Sequence, residues 1–159
     1  MPVPKSIAPR KSWMNAIMED EGAGLRKDTQ LLLPTIPTAA GTVEIPVIVP
    51  EDGYLHSVEV SFTEALAAND TNYVMFNMVN YGQDGNGTVA MLVATSENTT
   101  RLTTGGAPIN AKARRSLKLA IPVIIQKVKA GDRIGFRVVG TGTLANTLTN
   151  GAVLFRFVA

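Results

Sequence analysis

From Thr42 onward, apolar and polar residues alternate with a period of two, and turn residues interrupt the alternation at spacings of about 8–15 residues. Thr42 to Val49 reads as a first strand, with Pro46 marking it as an edge or an irregular one. Glu51-Asp52-Gly53 is a turn. The pattern then places Tyr54, His56, Val58, Val60 and Phe62 on one strand face, with Leu55, Ser57, Glu59 and Ser61 on the other. After a turn at Asn69-Asp70, Asn72 to Tyr81 is apolar on both sides, as expected of a strand between a core and a second covered surface. Asp84-Gly85-Asn86-Gly87 is a hairpin signal, with Thr88 to Thr95 as its return strand. Asn98 to Thr103 reads as a short edge strand, and Gly105 to Ala113 as a loop. Ser116 to Ile125 reads as a strand, with Pro122 at an edge or bulge. Beyond the turn Lys129-Ala130-Gly131-Asp132, the inward triplets are Ile134, Phe136, Val138 and Val153, Phe155, Phe157, separated by a loop from Gly140 to Asn146. Roughly eight strands without intervening helices predict an all-β, antiparallel two-sheet sandwich, and a jelly roll fits the count.

Residues 1–41 follow a different pattern and read as an N-terminal arm, leaving 42–159 as the sandwich domain. Pro2, Pro4 and Pro9 oppose regular structure. Ser12 to Glu21 predicts a short helix capped by Ser12, with Trp13 and Ile17 sharing a face and Met14 and Met18 a step round. Gly22 and Gly24 stop it, and so short a helix needs something to pack against. Leu31, Leu32 and Leu33, followed by Pro34 and by Ile36-Pro37, predict an extended strap laid along a surface.

Composition narrows the function classes. The chain has 159 residues, 45% of them hydrophobic and 18% charged, which is a globular balance. It has no Cys and one His, His56, which leaves no disulfide scaffold, thiol chemistry or multi-His metal centre. No cofactor is expected. The longest apolar stretch, Leu119 to Ile125, is interrupted by Pro122 and is far shorter than a membrane span, and no apolar run follows the basic N-terminal residues to make a secretory signal.

Charge changes the picture through its order. The total is +2, yet residues 29–98 hold eight acids and no Lys or Arg, while residues 99–159 hold ten basic residues and one acid. Two readings are open. Acidic and basic strands pair across the sheet within one chain, or acidic and basic faces of different copies meet. The basic run Lys112 to Lys118 contains no aromatic residue to stack bases, and the arm is only weakly basic, so no nucleic-acid partner is expected.

The candidate chemistry is thin. A Ser-His-Asp site would have to use His56, which alternation puts among apolar residues, and no Gly-x-Ser-x-Gly elbow is present. Asp84-Gly-Asn86-Gly lacks the spacing and closing Glu of a calcium loop, and Gly140-Thr-Gly142-Thr lacks the Lys of a phosphate loop. Glu59 and Glu64, five apart, fall on opposite faces of a continuous strand, which argues against a glycosidase pair. The chain therefore reads as a non-enzyme.

The arm, the unit Val49-Pro-Glu-Asp-Gly53-Tyr-Leu-His-Ser-Val-Glu-Val60, the segment Asp70 to Asn80 and Val128-Lys-Ala-Gly131-Asp-Arg-Ile134 together resemble the small jelly-roll decoration, or cement, proteins of tailed-bacteriophage capsids. The resemblance covers about residues 42–159. It implies a homotrimer on the outer surface of the virion that stabilises the shell by binding the major capsid protein, with an arm crossing neighbouring subunits. Arg10, Lys11, Trp13, Met14, Ile17 and the strap Leu31, Leu32 and Leu33 are the residues this would use to grip the shell. The competing expectation is a binding module, such as a fibre head or a carbohydrate-binding β-sandwich, which would need exposed aromatic residues.

Overall fold

The computed structural model describes residues 26–93 and 98–159. Among the described residues, nine strands form two antiparallel sheets: β1 (Arg26–Leu32), β2 (Gly41–Ile48), β3 (Gly53–Ser61), β4 (Tyr73–Asn80), β5 (Val89–Ala90), β6 (Arg115–Leu117), β7 (Lys127–Val128), β8 (Arg133–Thr141) and β9 (Ala152–Val158). One sheet runs β1-β9-β3-β6, with β7 added beside β3, and the other runs β2-β8-β4-β5.

With the two-residue β7 set aside, the pairs nest. β4 pairs β5, β3 pairs β6, β2 pairs β8 and β1 pairs β9. The chain is thus one long antiparallel ribbon, doubled back at the Asp84–Gly87 hairpin and rolled so that alternate rungs fall in opposite sheets. That is the jelly-roll wrapping. On one side of the sandwich β5 and β6 are linked across the sheets by the bridge between Leu92 and Leu119. On the other side, the edge strands β1 and β2 have no further strand beside them among the described residues.

Period-two alternation fills the space between the sheets. Ile45 and Val47 from β2, Val74, Phe76 and Met78 from β4, and Ile134, Phe136 and Val138 from β8 face Val58 and Val60 from β3 and Val153, Phe155 and Phe157 from β9, all buried. A file of rings crosses the core. Phe62 stacks near Phe76, Phe76 near Phe136, and Phe136 meets Phe155 edge-on at 5.8 Å. Such ring pairs add specific geometry to the area they bury.

Five expectations are corrected. Leu31 to Leu33 do not form a separate strap: β1 is a full strand of the sheet, in register with β9 from Arg26 opposite Val158 to Leu32 opposite Ala152, so the sandwich reaches back to Arg26. The alternation read for residues 54–62 breaks at a bulge between Leu55 and Ser57. The extra residue there, His56, is exposed, and Leu55, assigned to the outer face, is buried. The strand predicted from Ser116 to Ile125 is only β6, because the cis peptide Ile121–Pro122 and a 3-10 turn over Val123–Gln126 divert the chain before β7. Finally, Thr88 to Thr95 pairs regularly only at Val89–Ala90, and Asn98 to Thr103 contributes one bridge, Thr99 to Met75, before a 3-10 turn over Leu102–Thr104. The helix predicted over Ser12 to Glu21 lies outside the described residues.

Candidate functional site

The ribbon pairing explains the charge order. Outside the innermost rung, whose β4 and β5 both precede residue 99, each rung sets a strand of the first half beside one of the basic second half. On the outer face of the β1-β9-β3-β6 sheet, Arg156 reaches Asp28 at 3.6 Å and Glu59 at 3.9 Å, and Arg114 reaches Glu59 at 3.5 Å. On the outer face of the other sheet, Glu44 and Arg137 sit opposite each other in register and pair at 2.5 Å. Tyr81 donates its hydroxyl hydrogen to Glu44 and accepts from the Arg137 guanidinium, which also lies over its ring. The Glu44 carboxylate is the main cause that raises the Arg137 pKa further above its ordinary value. Gly135 leaves room for this cluster, since a Cβ there would stand 2.5 Å from Glu44 and 2.6 Å from Tyr81. Of the two readings of the charge order, the intrachain one is realised in these pairs.

The basic run 112–118 is not a uniformly solvated rim. Arg115 is half-buried, donates to the Ala107 carbonyl at 2.7 Å and the Thr99 carbonyl at 2.8 Å, and lies over the Phe76 ring. Burial lowers its pKa. Arg115 thus ties the 98–108 segment to the sheet, a role that spacing along the chain does not reveal. Other loop carboxylates do similar work. Glu64 accepts from the Thr149 hydroxyl at 2.5 Å and the Thr149 amide at 2.6 Å, so it serves a loop and is remote from any role with Glu59. Asp70 accepts from the Thr103 amide, and Asp84 from the Asn86 amide inside the hairpin turn.

Three cavities among the described residues are small: one of about 150 Å³ lined by Phe62, Pro108, Ile109, Asn110 and Arg114 among others, and two of about 130 and 120 Å³. Small-molecule sites usually exceed about 300 Å³. Among the described residues no group of three or more His, Asp or Glu converges as a metal site would require.

What the surface does offer is apolar. Two regions stand out. One is the pair of edge strands β1 and β2, where Leu32 at the end of β1 is 77% exposed and, at the opposite end of the sandwich, Ile48 at the end of β2 is 60% exposed. The second is a crest formed by the turn between β6 and β7, where Ile121 is 81%, Val123 59% and Ile124 65% exposed. Of the predicted gripping residues, Leu33 is buried and Leu31 packs against the core, so Leu32 alone of the three points outward. Arg10, Lys11, Trp13, Met14 and Ile17 lie outside the described residues. The crest was missed because a run from Leu119 to Ile125 looks like a buried strand until Pro122 is seen to turn it.

No family model matches the chain, and no curated protein sequence is similar to it. Among solved structures, the chain is similar to one in the structure of the infectious bursal disease virus Gx strain, at 10% identity and a TM-score of 0.42, covering 83% of this chain and 33% of that one. It is similar to one from the Gt strain at 11% identity and a TM-score of 0.43, covering 84% and 32%. The chain spans about a third of the length of those chains.

Proposed function

We propose that this protein is a structural virion component that decorates the outer surface of a tailed-phage capsid as a homotrimer and stabilises the shell without chemistry of its own. The observation that carries the reading is the open side of the sandwich. Among the described residues, no other strand covers the two long edge strands there, β1 and β2, and each ends in an exposed large apolar residue, Leu32 or Ile48. Natural sandwiches shorten, charge or cover such edges, and an uncovered pair suits a neighbouring polypeptide. The resemblance to decoration proteins names the neighbours: two further copies and the major capsid protein. The arm that precedes β1, with Arg10 and Lys11, would extend the grip. Many weak contacts repeated over a symmetric lattice add up through multivalency. The carbohydrate-binding alternative has less to draw on. Tyr73 and Tyr81 are engaged by Arg101 and Arg137, which leaves Tyr54 as the exposed tyrosine among the described residues.

The test is heat disruption of undecorated capsids with and without the protein. Because it would bind the intact shell in preference to the disrupted one, the disruption temperature should rise with the logarithm of free protein concentration. The Leu32→Asp/Ile48→Asp variant, whose changes lie outside the core, should give a reduced rise. An unchanged disruption temperature at saturating protein would overturn the reading.

A further inference from the structure

The two edge strands of the open side are not equivalent, because the phase of each ladder decides which backbone groups turn outward. On β1, the Leu33 amide donates to the Gly151 carbonyl at 2.7 Å, and this pair continues the β1–β9 register. Backbone direction alternates along a strand, so Thr29 and Leu31 also turn their N–H and C=O groups to β9, while Asp28, Gln30 and Leu32 turn theirs away from the sheet. On β2, the Val49 amide donates to the Asp132 carbonyl at 2.9 Å, in continuation of the β2–β8 register. Val43, Ile45 and Val47 therefore bond towards β8, and Thr42, Glu44, Pro46 and Ile48 face outward. Pro46 thus costs β2 nothing within its own sheet, yet it leaves the middle of that edge without a donor. β1 contains no proline. Its one lysine, Lys27, lies near its start and is paired with Glu51. Of the two long edges, β2 is closed to a further strand and β1 is open to one.

The side chains say what an added strand must carry. Leu31 and Val43 belong to the inward sets of β1 and β2 and pack against the core, yet each stays half-buried. An inward residue on an edge strand meets solvent only from the side, so their remaining exposure faces the gap between the two edges. A strand added beyond β1 would cover it with alternate apolar residues. Its other residues would lie beside exposed Asp28 and Gln30, and so be polar. A second copy supplies no such strand among the described residues. Its β2 carries the same Pro46, and its β5, β6 and β7 have only two or three residues each. Its β1, set antiparallel in full overlap, would bring Lys27 opposite Leu31, where an apolar residue is needed. A different polypeptide is therefore the fitting donor. We infer that β1, and not β2, takes up an extended segment of the shell protein as an added strand, its backbone bonded to Asp28, Gln30 and Leu32 and its alternate apolar side chains laid over Leu31 and Val43. The inference rests on the decoration reading for the identity of the partner.

Amide exchange at single residues tests the inference on the full-length protein. Free in solution, Asp28, Gln30 and Leu32 should exchange fast, and Thr29 and Leu31 slowly. Bound to undecorated capsids, all five should be slow. Proline substitution gives an independent readout, since Pro46 shows that this fold takes proline at an outward-facing position of an edge strand. Gln30→Pro spares the β9 ladder and removes one donor from the β1 edge. It should keep the cooperative unfolding of the wild type and weaken binding to the capsids about tenfold. The matched Thr42→Pro, at the same phase on β2, should bind as the wild type does. Slow exchange at Asp28, Gln30 and Leu32 already in the free protein overturns the inference, by giving the edge to this chain or to a second copy. So does equal weakening by the two prolines. Capsids stabilised against heat while those three amides stay fast and Gln30→Pro binds as the wild type does also overturn it, and leave the decoration reading standing. Capsids that are not stabilised at all overturn both.

Discussion

Asp132 is the one buried charged side chain among the described residues. Buried at 7% exposure, its carboxylate accepts from the Asn80 amide at 3.0 Å and the Lys129 backbone N–H at 2.9 Å, while Asn80 in turn accepts from the Gly82 N–H. The three contacts clamp the end of β4 to the β7–β8 turn. Asp132→Ala strands a buried amide and a backbone N–H, and should cost about 2–4 kcal/mol in chemical denaturation. More exposed carboxylates give a pH signature instead. The pKa of Glu64 is lowered first by the Thr149 hydroxyl, that of Asp70 by the Thr103 amide, and that of Asp84 by the Asn86 amide. A depressed folded pKa means these contributions are present above the ordinary carboxylate range and are lost as pH falls through the folded values. Urea midpoints should therefore drop on acidification below about pH 4, and Glu64→Gln should flatten part of that slope.

At the level of elements, alternation is legible where a strand is continuous and illegible where a single residue is inserted. The inward sets of β8 and β9 follow from period two alone, whereas β4, apolar on both sides, needs its neighbours to show which face is inward. In β3 the same rule misplaces Tyr54, His56 and Leu55, because a bulge adds one residue without leaving a glycine or proline as a marker. Likewise, the crest is invisible to a pattern that counts only hydrophobicity, since Ile121, Val123 and Ile124 have core chemistry on an exposed turn. Of the candidate surface, the arm residues and Leu32 were legible as apolar groups without a core position. The open side was not, because which strands become edges depends on the order of pairing. A deletion pair tests the bulge. Removing His56 leaves Leu55 opposite Phe157 and Ser57 opposite Arg156, so it should change stability by less than about 1 kcal/mol. Removing Asn77 from the regular strand β4 forces either Val74 and Phe76 or Met78 outward and should abolish cooperative unfolding, at several kcal/mol for each ring or chain displaced.

For the whole molecule, the nested pairing is the feature from which most else descends. It sets acidic beside basic strands and leaves β1 and β2 as the open side. It also imposes an order in time. The innermost rung joins Val79 to Ala90 across a short turn, whereas each rung outward closes a loop tens of residues longer, up to the pairing of Arg26 with Val158. Loop closure favours near neighbours, and non-local pairings are slow to form. Zipping should thus run outward from the hairpin, with β1 docking last and peeling away first. Since β1 is also one of the two exposed edges, only a chain whose rolling is complete would present that edge to a partner.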